Sequence, residues 1–306
     1  MVDPDPADGG DPSESDPVVA AIFDAVAATA PEIRAALPGR RVESGTDNPS
    51  GESVLAGDLY ADELLADALT AVDGVGSFVS EERETAVDAG GAVGEGAYAV
   101  AIDPLDGSSN LRSNNAMGTV VGVYDAPLPA TGRDLVAAGY VLYGPITTMI
   151  VADEEGVREE VVERESNGSG SRSVVEDDLT LPDDPLVYGF GGRVPDWPAD
   201  FTAFAREIED ELKLRYGGAM VGDVNQVLTY GGLFAYPALV DAPEGKLRLS
   251  FEANPIAYIV ERAGGAATDG DTDILDVEPE GVHDRVPLYV GNEGLVKRLE
   301  DALADG

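Results

Sequence analysis

The stretch Asp103-Pro-Leu-Asp-Gly-Ser-Ser-Asn110 sets two carboxylates, a proline, a glycine and two hydroxyls directly behind the apolar run Ala97–Ile102. Hard oxygens converging from Asp103 and Asp106 suit a divalent cation, and the amides of Gly107, Ser108 and Ser109 can form a nest for an anion. Cation and phosphate meeting at a strand end is a recipe for metal-assisted phosphate chemistry. Pro104 presets φ for a turn that brings the two aspartates together, and Gly107 lets the backbone approach a ligand. In so acidic a chain, two aspartates alone fit an ordinary acidic turn equally well. Glu52, Asp58, Glu81, Glu82 and Glu252 extend the set at other expected strand or loop ends. All-carboxylate ligation selects Mg2+ or Mn2+ over zinc or copper. Glu252 stands two residues before Asn254, read as a helix N-cap, where the helix dipole favours an anionic side chain. Among scarce cations, Arg215-Tyr216 and Lys246-Leu-Arg248 flank Tyr236 and suit a second anionic group; salt bridges to the acid excess are the alternative.

Other chemistries fall away. The absence of cysteine excludes disulfides, thiolate nucleophiles and Cys-bound metals, and His283 is the only histidine, better read as structural than catalytic. No Gly-x-x-x-x-Gly-Lys-[Ser/Thr] occurs.

The elements that must position these residues follow from periodicity and punctuation. Residues 1–16 read as a disordered acidic tail. A helix follows over Val18–Leu37, interrupted near Pro31, then a polar loop over Gly45–Glu52 long enough to be a flap. A second helix spans Asp58–Val72 with an apolar face of Leu59, Leu64, Leu65, Ala68 and Leu69. Val75–Val79 and Ala97–Ile102 read as strands ending in carboxylates, followed by antiparallel strands near 118–124, 136–143 and 146–152. Glu165–Ser173 reads as a flexible loop with a domain boundary shortly after it. The second half alternates: strand 186–190, helix 199–212, helix 221–228, strands 233–240 and 246–251, helix 255–263, strand 286–290 and helix 293–304. The class is α/β with mixed sheets.

The chain carries 59 acidic and 19 basic residues, a formal net charge of -40, with only Lys213, Lys246 and Lys297 as lysines. Such a surface repels nucleic acid and anionic membranes, so neither is expected as a partner. Spread-out acid with scarce lysine resembles the composition of proteins from extreme halophiles. No run reaches membrane-spanning length and the N-terminus lacks a basic region followed by an apolar one, so the expected compartment is the cytoplasm.

Asp103–Asn110 and Lys246-Leu-Arg-Leu-Ser-Phe-Glu-Ala-Asn-Pro-Ile-Ala-Tyr-Ile-Val-Glu-Arg-Ala-Gly-Gly265 resemble the two signatures of class I fructose-1,6-bisphosphatases. Ser80-Glu81-Glu82, Arg215-Tyr-Gly-Gly-Ala-Met220 with Asp223, Tyr230-Gly-Gly-Leu-Phe-Ala-Tyr-Pro237 and His283-Asp-Arg-Val-Pro287 continue the match in family order. The resemblance implies an α/β, layered αβαβα sugar-phosphatase fold with two mixed sheets. It also implies an N-terminal metal-binding domain (17–180), a C-terminal sugar-phosphate domain (181–306) and hydrolysis of the 1-phosphate of fructose 1,6-bisphosphate, a step of gluconeogenesis. Glu81, Asp103, Asp106, Glu252 and the carbonyl of Leu105 would hold more than one Mg2+, or Mn2+ in substitution; Glu52 stands where the family has a flap aspartate ligand. Asp106, Gly107, Ser108 and Ser109 would cradle the 1-phosphate, and Asp58 with Glu82 would activate the attacking water.

The same resemblance implies that Tyr216, Tyr236 and Lys246 grip the sugar and its 6-phosphate, with Met220 lining the pocket and Arg215 reaching in from a neighbouring subunit of a homotetramer. An Asn-Glu-Gly-Tyr segment of the family is replaced by Phe190-Gly-Gly-Arg193, in which Arg193 offers a compensating anion contact. The N-terminal AMP motif is not visible and its Lys-Tyr pair survives only as Ala97-Tyr98, so AMP inhibition is expected to be weak or absent. Competing readings are a sedoheptulose bisphosphatase, an inositol-monophosphatase-type enzyme and a non-catalytic sugar-phosphate-binding regulator. The second usually has Thr after the glycine and a Trp-Asp segment where this chain has Phe251-Glu-Ala-Asn-Pro255, and the third tends to lose metal ligands.

Overall fold

A computed structural model of the chain describes residues 16–304. Positions 1–15 of the expected tail lie outside the described residues; Asp16, also assigned to it, is an ordered N-cap. Its Oδ1 accepts from the amides of Val18 (2.7 Å) and Val19 (3.3 Å), starting α1 (Pro17–Ala36) with proline at the first position. The interruption expected near Pro31 does not occur. Gly170 packs on the Ala27 carbonyl, which Pro31 cannot bond, and on the Pro31 ring so closely that a Cβ there would overlap both, and the helix continues past the proline.

The strands β1 (Glu43–Asp47) and β2 (Ser53–Leu55) pair antiparallel, making the polar loop the tip of a hairpin. Next comes α2 (Ala56–Leu69), whose buried residues include Asp58, Ala61, Asp62, Leu65, Ala66 and Leu69, whereas Leu59, Leu64 and Ala68 are only half-buried. The apolar face read from periodicity is therefore rotated, because two acids sit on the true inner face.

The large sheet contains β3 (Val75–Ser80), β4 (Val87–Asp88), β5 (Tyr98–Asp106), β6 (Met117–Tyr124), β7 (Leu135–Tyr143), β8 (Thr147–Asp153), β9 (Gly156–Arg164) and β10 (Gly170–Glu176). Their order is β10-β9-β8-β7-β6-β5-β3-β4, antiparallel throughout except for the parallel β3–β5 pair. Every residue of β6 and β8 is buried, as strands covered on both faces require. The flexible loop expected over Glu165–Ser173 shrinks to the turn between β9 and β10, since Gly170–Ser173 pair in the ladder.

The second half supplies β11 (Val187–Phe190), α3 (Ala199–Glu211), β12 (Lys213–Leu214), α4 (Met220–Tyr230), β13 (Gly232–Tyr236), β14 (Leu247–Arg248), α5 (Asn254–Arg262), β15 (Ala266–Thr268), β16 (Arg285–Val286), β17 (Leu288–Gly291) and α6 (Glu293–Ala304). A smaller mixed sheet runs β12-β11-β13-β17-β15, parallel at β11 and antiparallel around β17. Two expected strands are shorter than read. The first stops at Tyr236, ahead of Pro237, and the second is only β14, paired with β16. Leu249–Ala253 form a π-helical turn that runs straight into α5, so Asn254 lies inside the helical run and is not its cap.

Three apolar cores stack the layers. One joins α1 and α2 to the large sheet, and a middle core puts α4 and α5 between the sheets. The third joins α3 and α6 to the outer face of the small sheet, completing the αβαβα arrangement. The middle core mixes Val79, Ala101 and Tyr140 with Val187, Phe234 and Ile256, so both halves of the chain build it. Among the described residues no helix is long and apolar enough to cross a membrane.

Candidate active site

Along a regular strand, side chains three apart point to opposite faces. On β5, however, Asp103 pairs with Val120 and Asp106 with Gly118, so one extra residue lies between them. That bulge returns both carboxylates to one face. Pro104 is not a turn residue: it stays in the strand, where its carbonyl accepts from Thr119 Oγ1 at 2.9 Å. The chain turns at Gly107, at φ 71°, where any Cβ would overlap Ala219 at the start of α4. A 3-10 turn over Ser108–Leu111 follows, and Asn110 Nδ2 ties it to the Gly217 carbonyl at 2.9 Å. Gly217 and Gly218 in turn donate their amides to the buried Asp223.

Asp103 Oδ1 accepts the Leu105 amide (2.9 Å) and Asp106 Oδ2 the Val221 amide (2.8 Å), while Glu252, on the π turn, accepts the Arg248 amide at 2.7 Å. Ligand oxygens of Asp103, Asp106 and Glu252 lie within 4.8 Å of one another, and all three residues are buried. Burial, then the mutual repulsion of the acids, pushes Asp103 and Glu252 well above the usual carboxylate range. Burial likewise lifts Asp106 to about 7. So many buried acids are stable as anions only beside positive charge. Their donors are hard oxygens, with no sulfur or imidazole, and the set fits a divalent cation of the Mg2+ or Mn2+ type.

Glu81, at the end of β3, lies beside Asp103 and 3.1 Å from Arg248. Arg248 is 2% exposed and also meets Glu52 at 2.9 Å. Arg285 reaches the other oxygen of Glu52 at 3.4 Å. Glu52 thus ties the β1–β2 hairpin to the second half of the chain, and its carboxylate is engaged by two guanidinium groups. Asn48 shapes that hairpin tip by accepting the amides of Ser50 and Glu52.

Asp58 opens α2 by accepting the Leu55 amide at 2.6 Å. Burial pushes its carboxyl up to about 6, against the bonds from Leu55 and Ser108. Burial, followed by the charges of Asp58, Glu81 and Asp62, carries Glu82 to about 8. Lys246 lies 5.4 Å from the ring centre of Tyr236, whose hydroxyl also meets Tyr216.

One cavity gathers Glu52, Asp58, Glu81, Glu82, Asp103, Leu105, Asp106, Gly107, Ser108, Ser109, Met220, Tyr236, Lys246 and Glu252. Tyr216 meets Tyr236 but is exposed and outside that lining. Arg193 and Arg215 do not line it: Arg193 is exposed beside Asp196 (3.8 Å) and Arg215 is exposed next to Tyr216. Lys246 and Arg248, read as one anion-binding pair, separate, since Arg248 is a salt-bridge partner of the acids. Their spacing along the chain alone could not distinguish these roles. Asn48 went unnoticed in the sequence because an asparagine in a polar loop carries no signal. His283 is half-buried against Phe251, and its Nε2 lies 3.0 Å from the Arg83 carbonyl, a structural placement.

Residues 16–168 match the fructose-1-6-bisphosphatase N-terminal domain family and residues 181–304 the corresponding C-terminal domain family. A class 1 fructose-1,6-bisphosphatase of Natronomonas pharaonis is 60% identical over 282 residues, 92% of this chain and 97% of that protein. That of Halobacterium salinarum is 56% identical over 288 residues, 94% of this chain and 98% of that protein. The crystal structure of Leishmania major fructose-1,6-bisphosphatase in holo form superposes with a TM-score of 0.86 at 27% identity, covering 96% of each chain. With both domain families matched in order and the carboxylate cluster, the Gly107–Ser109 turn and Lys246 lining one cavity, the chain belongs to the class 1 fructose-1,6-bisphosphatase family.

Proposed function

We propose that the chain hydrolyses the 1-phosphate of fructose 1,6-bisphosphate to fructose 6-phosphate and phosphate, using more than one Mg2+ per site, with Mn2+ able to substitute. The observation that carries this reading is the lining of the cavity at the carboxylate cluster. That lining joins the acid cluster and the Gly107–Ser109 turn to Lys246 beside Tyr236. A substrate with two phosphates matches a cavity that offers both a cation-binding acid cluster with backbone amides and a lysine.

When bound, the divalent ions neutralise charge on the phosphoryl oxygens and lower the pKa of the attacking water. Asp103, Asp106, Glu252 and Glu81 would hold them, with the Leu105 carbonyl. The chain's own part is placement and proton handling. The nest after Asp106 orients the 1-phosphate for in-line attack, without a covalent enzyme intermediate. Asp58 and Glu82, both facing the cavity, take up the proton of the water. Lys246, Tyr236 and Tyr216 hold the distant phosphate and sugar, with Met220 against the ring.

Phosphate release in molar KCl with Mg2+ tests the reading. Fructose 1,6-bisphosphate is expected to be preferred over sedoheptulose 1,7-bisphosphate and inositol 1-phosphate; turnover of either of the latter two at the higher kcat/KM would refute it. Lys246→Met is expected to raise KM for the bisphosphate about 10- to 100-fold with kcat nearly unchanged, the cost of a lost charged hydrogen bond. Steady-state kinetics check this.

Assembly follows the same logic. Arg215 is exposed, which supports its reaching a neighbouring subunit of a homotetramer. Tyr98 lies in a separate cavity with Asp16, Asp153, Glu154 and Arg262. Its hydroxyl is held by Asp16 at 2.6 Å. With Asp153 already paired to Arg158, Asp16 and Glu154 still outnumber Arg262 and disfavour a nucleotide phosphate, so millimolar AMP is expected to leave the rate unchanged, as a titration against the initial rate will show.

A further inference from the structure

Resting on the hydrolytic reading above, we infer that Asp62 and Arg83 are positioning residues that set the spacing of Asp58 and Glu82. Asp62 follows Asp58 by one helical turn on the same buried face of α2. Arg83 follows Glu82 directly in the turn that leaves β3. The Nε and a terminal nitrogen of Arg83 both lie 2.8 Å from Asp62 Oδ2, and the guanidinium sits 5.7 Å from the ring centre of Phe78. The Arg83 carbonyl faces His283 Nε2 at 3.0 Å, and that imidazole packs on Phe251, the neighbour of Glu252.

The geometry matters because Glu82 has little else to hold it. Its Oε2 is buried without a hydrogen-bond partner, so its placement depends on its backbone. That backbone is fixed on one side by Ser80, whose Oγ accepts the Glu82 amide at 3.2 Å, and on the other by Arg83. The Arg83–Asp62 ion pair therefore joins the strand end that carries Glu82 to the helix that carries Asp58. The two carboxylates must reach the same water, and an error of about 1 Å in such a placement costs about 100-fold in rate. The pair is also buried on the Asp62 side, where a side chain left alone would be an unpaired acid.

The test is steady-state kinetics with thermal melting, in molar KCl and Mg2+, on the full chain and on Arg83→Ala, Arg83→Lys, Asp62→Ala and the Arg83→Ala/Asp62→Ala double variant. Each alanine variant is expected to lose about 10- to 100-fold in kcat with KM within about threefold of the unaltered chain. Arg83→Lys is expected to recover most of the loss. The double variant is expected to be no slower than the slower single one, as for two groups acting as a unit. A kcat within about twofold of the unaltered chain in the folded variants, a change confined to KM, or fully additive losses would overturn the inference. Should the alanine variants not fold, Asp62→Asn replaces them, and an unchanged kcat there overturns it equally. An unaltered chain that releases no phosphate would instead refute the hydrolytic reading.

Discussion

Asp103→Ala is expected to lower kcat about a thousandfold or more while leaving the fold intact, since losing a cation ligand removes several kcal/mol of transition-state stabilisation. Asp103 accepts one backbone amide, and burial, followed by the repulsion of Glu81, Glu252 and Asp106, holds it well above the ordinary carboxylate range. A buried carboxyl held above its ordinary pKa costs the metal-free fold stability at neutral pH, and replacing it removes that cost, so the metal-free variant should melt no lower than the metal-free parent. The cation's contribution moves the other way. Saturating Mg2+ should raise the melting temperature of the parent by roughly 5–10 °C and leave that of the variant nearly unchanged. Kinetics and melting with and without Mg2+ check both halves. Near-normal turnover in the variant would end the assignment of this cluster as the metal site.

The second large effect is on stability in dilute salt. With a formal charge of -40, the folded chain concentrates repulsion that 19 cations cannot cancel. Where cations are present they are already shared: Arg133 alone meets Glu261, Asp273 and Asp276 at 2.8–3.3 Å. Molar salt weakens such exposed pairs, but each is worth only about 0–1 kcal/mol. Shortening the screening length from about 10 Å to about 3 Å acts on the whole acidic surface, so relief of repulsion wins. Melting temperature is therefore expected to fall by about 10 °C or more between molar KCl and 0.1 M KCl. Equal melting in the two solutions would show that the acid excess carries no such penalty.

Much of this molecule is legible in its residues. The apolar runs of β5 to β8, the helices α3, α4 and α6, and the carboxylates that gather in the cavity follow from residue type and local spacing. Those signals are short-range and survive without knowledge of the fold. What could not be read depends on neighbours distant in sequence. Pro31 passes for a helix break until Gly170 is placed against the Ala27 carbonyl. Asn254 passes for a cap until the π turn before it is seen to be helical already. The inner face of α2 is hidden because it includes Asp62, whose burial makes sense only with Arg83 opposite.

The same division runs through the site. Sequence by itself determined that Asp103 and Asp106 stand close together behind an apolar run and that glycine and serine amides follow them, and it offered Lys246 and Tyr236 for a second anionic group with salt bridges as the alternative. Tertiary structure alone decided how Asp103 and Asp106 share a face, through one extra residue on β5. It alone decided that Arg248 serves Glu52 and Glu81, whereas Lys246 stays with Tyr236. It also placed Arg193 outside the cavity. The physical reason is common to all three: residue type sets which interactions a side chain can make, and only the packing of strands and helices decides which partner comes within reach.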